Sequence, residues 1–375
     1  MLLNLTILPG DGIGPEVTEQ AVLALRTIAD AFGHELRLQH KHIGGAALTA
    51  ANDPLPPDTI AACLSSGAVL LGAVGSPAFD HYPNHLRPEA GLLRIRRELG
   101  AYANLRPAIL FSALEDCSPL RPEVARGVDL MIVRELLGGL YFGEPRSISK
   151  VSRPGVPATR VAINTMRYSD AEIERIARVG FDLAMRRRRK VLSVDKANVL
   201  ECSRLWREVV TRVAQEYPEV KLSHQYVDSA AMSLVQNPAD FDVVLTENMF
   251  GDILSDQAGG IVGSLGLLAS ASIGGPVGLY EPVHGSAPTI AGKGIANPLG
   301  AILSAAMMLR HSFQLEREAV CIENAVSTAL GQGLRTADLA GKGKPTVSTQ
   351  QMGTGVINAI RANVTSTPAS AERTA

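Results

Sequence analysis

Apolar residues along this chain fall into short continuous runs and longer stretches with helical spacing, and the two kinds alternate. Leu5-Thr-Ile-Leu8 reads as a first strand, followed by Pro9-Gly-Asp-Gly-Ile-Gly-Pro-Glu16 and an amphipathic helix to about Phe32. Ala68-Val-Leu-Leu-Gly-Ala-Val74 is apolar throughout, as in a parallel strand covered on both faces. A polar loop to Arg87 then leads into a helix from Pro88 to Leu99. Further strands are expected at Val128–Val133, Val191–Val194 and Phe241–Leu245, with helices over Ser169–Arg189 and around Trp206. Helices to about Leu330 and over Gln351–Ala362 close the pattern, and the polar residues 363–375 read as a disordered tail. Gln257–Tyr280 carries no charge and has the length of a membrane span, but its glycines and Pro276 make it a poor membrane helix. A buried helix followed by a loop is expected there.

A chain of 375 residues exceeds the size at which one core stops growing, so two lobes are expected. The formal charge of −1 is spread along the sequence, which gives no global field for nucleic acid or a membrane surface and points to small-molecule partners. Cys63, Cys117, Cys202 and Cys321 form no C-x-x-C pair, which disfavours a zinc site or a disulfide framework and fits a reducing cytoplasm. The amino terminus lacks the basic region and long apolar core of a signal peptide.

The candidate chemistry gathers at strand ends. Asp252 and Asp256 lie four residues apart just after the Phe241–Leu245 run, so a helix presents both carboxylates on one face. They are either two solvated acids or ligands for one hard divalent cation such as Mg²⁺ or Mn²⁺. Arg96, Arg106 and Arg134 each fall where they can converge, and arginine forks suit a substrate with more than one carboxylate. Lys196 follows the Val191–Val194 strand, where α/β sheets place their ligands, and Asp228 adds a third acid. Tyr141 stands in a glycine-flanked loop or hairpin, open to a packing or a chemical role. The glycine loop after the first strand fails the dinucleotide fingerprint, because Pro15 occupies its last glycine position and no acid closes a second strand. Arg186-Arg-Arg-Arg-Lys190 reads as a nucleic-acid patch or as cations favourably placed at a helix carboxyl end. The turn-rich stretch Glu281–Pro298 is of a length that is usually functional inside a compact domain.

Leu8-Pro-Gly-Asp-Gly-Ile-Gly-Pro-Glu-Val17, Ala103-Asn-Leu-Arg-Pro107, Gly139-Leu-Tyr-Phe-Gly-Glu-Pro-Arg146, Val194-Asp-Lys-Ala-Asn-Val199, Asn248–Asp256 and Glu281–Pro298 together resemble the β-decarboxylating dehydrogenases. That family acts on 3-isopropylmalate, isocitrate, homoisocitrate and tartrate, and Arg87-Pro-Glu-Ala-Gly-Leu-Leu93 is similar to its isopropylmalate branch. The resemblance implies an isopropylmalate/isocitrate dehydrogenase-like two-lobed α/β fold, not a Rossmann fold. Residues 1–101 and 257–362 would form a cofactor-binding lobe, and 102–256 a lobe for substrate, metal and dimerisation. It implies a homodimer with shared active sites that oxidises and decarboxylates a 3-substituted malate with NAD and Mg²⁺ or Mn²⁺, in leucine biosynthesis. Arg96, Arg106 and Arg134 would grip the malate carboxylates, and Leu92, Leu93 and Val199 would line the isopropyl pocket with Glu89 nearby. Asp252 and Asp256, with the partner's Asp228, would hold the metal. Lys196, also from the partner, would be the base and Tyr141 the acid. Glu281, His284, Gly285, Ser286, Ala287, Thr289, Ile290 and Asn297 would hold the dinucleotide.

Two positions depart from the family pattern. Thr289 stands where NAD-using members carry an aspartate for the ribose hydroxyls, and Asp338 looks like a second ribose-side acid. Leu137 replaces a threonine. A different 3-substituted malate, or a non-catalytic regulatory subunit, are the competing readings.

Overall fold

The computed structural model describes residues 1–366 apart from Pro154 and Lys342. Its first part runs β1 (Leu2–Gly10), α1 (Gly14–Phe32), β2 (Glu35–His40), α2 (Gly44–Ala51), α3 (Pro57–Leu64), β3 (Ala68–Ala73) and α4 (Pro88–Glu98). The middle holds β4 (Ala103–Ile109), α5 (Pro122–Ala125), β5 (Asp129–Glu135), the pair β6 (Ser147–Arg153) and β7 (Val156–Ile163), α6 (Asp170–Met185), β8 (Lys190–Asp195) and α7 (Glu201–Ala214). Then come β9 (Lys221–Tyr226), α8 (Val227–Gln236), β10 (Val243–Thr246), α9 (Asn248–Ile261), β11 (Ala269–Ile273) and β12 (Gly278–Pro282). Helices α10 (Leu299–Phe313), α11 (Glu316–Gly331) and α12 (Thr349–Ser366) follow.

Ten strands form one mixed sheet in the order β2-β1-β3-β12-β11-β4-β5-β10-β8-β9. Each wing is parallel, β2 to β12 on one side and β5 to β9 on the other, while β11 and β4 at the centre run antiparallel to their neighbours. Strands from the two ends of the described chain make one wing with β11, and the middle of the chain makes the other with β4. This mixed order is not the all-parallel sheet of a Rossmann fold. Strands β3 and β10 are buried at every position, as their unbroken apolar runs require, whereas the edge strands β2 and β9 are half exposed. On one side of the sheet α1, α10, α11 and α12 pack against one another, and α6 and α7 pair over the other wing.

Sequence-based expectation fails in two places. Gln257–Tyr280 is not a buried helix followed by a loop: α9 stops at Ile261, and β11 and β12 pair antiparallel across the Gly274-Gly-Pro276 turn. Gly263 takes a φ of 107°, a conformation that no helix continues through, and Ser270 and Ser272 are small enough to sit buried inside a sheet. The expected disordered tail also begins too early, because α12 continues through 363–366; residues 367–375 lie outside the described part. Among the described residues no helix is long and apolar enough to cross a membrane.

Candidate active site

The carboxyl ends of β5 and β10 bring the site together, and the start of α9 locks them. Glu247 caps that helix by accepting from the backbone of Phe250 at 2.8 Å and Met249 at 3.0 Å. Asn248, fully buried, uses both ends of its amide. Its Oδ1 accepts from Arg134 Nε at 3.0 Å and Nη2 at 2.7 Å, and its Nδ2 donates to the carbonyls of Leu136 at 3.1 Å and Gly138 at 2.9 Å. Gly251 then lets the Arg134 stem lie against the helix, since a Cβ there would stand 2.7 Å from Arg134 Cγ. One turn from the start of α9, Asp252 meets the guanidinium of Arg134 in a short ion pair.

Arg106 reaches the same carboxylate from β4. Its Nη1 lies 3.3 Å from Asp252, 3.7 Å from Asp256 and 2.7 Å from Ser255 Oγ, and its Nε donates to Asn104 Oδ1 at 2.8 Å. Tyr141, in a single 3₁₀ turn, donates its hydroxyl to Asp252 Oδ2 at 3.0 Å and places its ring 5.7 Å from the Arg134 guanidinium. Arg96, on α4, donates to Glu281 of β12 at 2.7 Å, and its charge is felt at both other arginines. The three arginines therefore converge, each against an acid.

This crowding shows in the acidities. Burial opposes ionisation of Asp252, but the charges of Arg134 and Arg106 and the Tyr141 hydrogen bond hold its carboxyl below the ordinary range. Asp256 shifts upward through burial, which Arg106 only partly offsets. Burial and then the neighbouring Arg106 bring Arg134 down to about 10. Burial and the Asp252 charge push the Tyr141 phenol up, so it keeps its proton at neutral pH.

The remaining residues expected on the substrate side divide. Leu92 and Leu93 are half buried on the helix that carries Arg96, with Glu89 exposed one turn earlier. Lys196, Val199 and Asp228 lie elsewhere. Lys196 Nζ pairs with Asp228 Oδ1 at 2.7 Å and sits 5.8 Å from the Tyr226 ring, and Val199 is 62% exposed. Among the described residues no hydrogen bond or ion pair joins them to Tyr141, Asp252 or Asp256, and no three acids or other ligating groups of one chain gather around a metal position. One chain thus offers Asp252 and Asp256 as hard oxygen donors, enough for part of a divalent-ion shell.

The loop after β12 docks on the glycine loop after β1. Ile13 N donates to Ser286 O at 2.9 Å, and a Cβ on Gly12 would stand 2.0 Å from that same oxygen. His284 donates from Nδ1 to the Gly285 carbonyl at 3.0 Å, a tautomer set by that acceptor, which leaves Nε2 a buried acceptor with no partner among the described residues. Burial also lowers its pKa, keeping the ring neutral. An orphaned acceptor beside an open Gly285 fits a ligand amino group such as that of adenine. Ala287 takes a φ of 40° and Ile290 N donates to its carbonyl at 3.0 Å, which turns the chain so that Thr289 is exposed. Asn297 donates to Asp338 Oδ2 at 3.0 Å, and Asp338 also accepts from Ser264 at 2.5 Å and Thr336 at 2.6 Å.

Sequence reasoning missed the residues that brace the site: Asn104, Glu247, Asn248, Ser255 and Asp11. The Asp11 carboxylate accepts three backbone donors, Gly45 and Ala46 at 2.8 Å and Gly75 at 2.9 Å, and so ties the glycine loop to α2 and to the end of β3. A buried acid between two glycines was the available signal.

The isocitrate/isopropylmalate dehydrogenase family model matches residues 4–356, and the chain belongs to that family. Curated relatives named 3-isopropylmalate dehydrogenase include one from Halalkalibacterium halodurans, 53% identical over 96% of this chain and 98% of its own. Another, from Priestia megaterium, is 57% identical over 91% of each chain. Among solved structures, isocitrate dehydrogenase from Methylococcus capsulatus superposes with a TM-score of 0.80 at 36% identity, covering 95% of this chain and 99% of that one. A β-decarboxylating dehydrogenase from Thermococcus kodakarensis gives 0.76 at 34% identity, covering 96% and 97%.

Proposed function

We propose that the chain is an NAD-dependent 3-isopropylmalate dehydrogenase that yields 4-methyl-2-oxopentanoate and CO₂ for leucine biosynthesis. The observation that carries this reading is the convergence of Arg96, Arg106 and Arg134 beside Tyr141, on the helix side where Leu92 and Leu93 leave an apolar face. Three cations stand against Glu281, Asp252 and Asp256, so the charges of these six groups balance when all are ionised. A doubly charged malate together with a divalent cation would keep that balance, with the arginines holding the substrate carboxylates and Asp252 and Asp256 holding the cation.

When bound, the Mg²⁺ or Mn²⁺ ion supplies polarisation of the C2 oxygen and NAD supplies the hydride acceptor. The chain's own groups handle the protons. Lys196, contributed by the partner together with Asp228 and Val199, takes the proton of the C2 hydroxyl. Tyr141, whose phenol stays protonated, gives a proton to the carbon that CO₂ leaves. Leu92, Leu93 and Val199 line the isopropyl side, with Glu89 at its rim. Glu281, His284, Gly285, Ser286, Ala287, Thr289, Ile290, Asn297 and Asp338 surround the dinucleotide.

This reading makes residues 1–101 and 257–362 the cofactor lobe and 102–256 the substrate and dimerisation lobe, in a cytoplasmic homodimer. The continuous sheet supports the division, since its two parallel wings meet only through β11 and β4. The test is a kcat/KM panel of 3-substituted malates with NAD and NADP and either metal. A clear preference for 3-isopropylmalate is expected; equal or better turnover of isocitrate, homoisocitrate or tartrate would overturn the substrate assignment.

A further inference from the structure

The basic run at the end of α6 is not uniform. Arg187 is held by Asp129 and Asp242, both at 2.8 Å, and Arg189 by Glu219 at 2.6 Å. Arg188 donates to the Phe241 carbonyl and lies 3.8 Å from Asp129. The Arg186 guanidinium has no partner among the described residues, and it borders a cleft of about 600 Å³. That volume lies within the range of about 300 to 1,000 Å³ usual for small-molecule sites.

The cleft exists because the centre of the sheet comes apart there. The β4–β11 ladder runs from Ala103↔Ile273 to Leu105↔Ala271 and ends. Two residues further on, Pro107 has no N–H to continue it. Beyond that point Pro107 and Ile109 face Leu268 and Ala269 across open space, with Met131 and Asp129, their partners on β5, on the same wall. Side chains alternate along a strand, so these residues point away from the face that carries Asn104 and Arg106. The cleft is therefore separate from the candidate active site and lies behind it.

Its walls are mainly apolar: Ile109, Phe111, Met131, Leu183, Leu303 and Met307. Most charged groups at its mouth are already satisfied. Arg310 binds Glu316 and Glu323 through four contacts of 2.6–2.9 Å, and Arg187 holds Asp129. Two groups on opposite walls stay open, the Arg186 guanidinium and the His311 ring, which makes no side-chain hydrogen bond among the described residues. Burial and the Arg310 charge oppose protonation of His311, and the Arg186 charge adds to them in smaller measure. One free cation beside a neutral ring and an apolar pocket suits a single negative charge, and the nearby carboxylates of Glu316, Glu323 and Asp129 repel a second.

We propose that this cleft is a second ligand site, for a small monocarboxylate with a compact aliphatic or aromatic body, its carboxylate on Arg186 and His311. The test titrates 4-phenylbutanoate into the whole protein by calorimetry, without substrate or cofactor, so its failure is distinct from failure of the dehydrogenase reading. Saturable binding is expected, and Arg186→Glu weakens it about tenfold or more, the usual scale for a lost charge-assisted hydrogen bond. Leu303→Trp, which fills the cleft, removes binding, while both variants keep wild-type kcat/KM with the malate substrate. The His311 ring gives a local readout by NMR: burial and the charges of Arg310 and Arg186 hold its pKa at about 4, and a carboxylate beside it raises that value. No saturable binding up to about 10 mM, a range that reaches very weak sites, overturns the proposal. So does binding that Arg186→Glu leaves unchanged and saturating malate substrate displaces.

Discussion

Equal amounts of two inactive variants, Tyr141→Phe and Lys196→Ala, are expected to regain activity when their subunits exchange. Within one chain Tyr141 is bound to Asp252 at 3.0 Å, whereas Lys196 is bound to Asp228 at 2.7 Å, and among the described residues no hydrogen bond or ion pair bridges the two pairs. If each site takes Tyr141 from one chain and Lys196 from the other, a mixed dimer has one site with both defects and one with none. Random reassortment makes about half of the dimers mixed, so about one quarter of wild-type sites are restored. If both groups came from the same chain, every site would keep one defect and nothing would return. The assay must follow release of 4-methyl-2-oxopentanoate, because the proposed role of Tyr141 leaves hydride transfer to NAD intact in the tyrosine variant. Native mass spectrometry of differently tagged subunits establishes that exchange has occurred. A sample with half its dimers mixed and no activity above the two parents refutes the shared site.

Three further outcomes are expected. Tyr141→Phe alone is expected to form NADH faster than keto acid, since the proposed role of its hydroxyl comes only after hydride transfer, and equal rates of the two products would remove Tyr141 from the proton step. Thr289→Asp improves KM for NAD by roughly ten- to a hundredfold and raises the NAD/NADP ratio, because a carboxylate accepts the ribose hydroxyls and repels a 2′-phosphate. Unchanged KM values and an unchanged ratio would show that this exposed turn does not face the ribose. Asn248→Ala strips Arg134 and the carbonyls of Leu136 and Gly138 of their partners in a fully buried position, and it lowers unfolding free energy in urea by about 3 kcal/mol or more. A loss below about 1 kcal/mol would mean that water or rearrangement satisfies those groups.

The strands and helices read from apolar spacing are those whose burial is one-sided or complete. β3 and β10 are continuous apolar runs and α1 has a single apolar face, so composition alone separates them. β11 and β12 were not legible because both are almost wholly buried at the centre of the sheet, where a strand needs no alternation, and in Ala269-Ser-Ala-Ser-Ile273 only the last residue has the bulk that marks one. Length misled as well, since the uncharged stretch joins the end of a helix to two strands. The tail was misjudged by polarity: residues 363–366 are polar, but the helix before them has enough momentum in its own hydrogen bonds to carry on for another turn.

The site was legible where chemistry is carried by charge and illegible where charge is held in place by neutral groups. Arg106 and Arg134 stand out in sequence as cations at strand ends, yet nothing in the sequence shows that Asn104 and Arg134 are cross-strand partners, or that Asn248 grips the same guanidinium from the first turn of α9. Those relations follow from register. Cross-strand pairing sets Asn104 opposite Arg134 and Ile132 opposite Arg106, so the two arginines share one face with the amides that aim them. Shifting β4 by one residue would turn Arg106 toward the rear cleft and Pro107 toward Asp252. Register is thus what keeps the arginines of the active face apart from Arg186 behind it, and an anion at either place meets only its own set of cations.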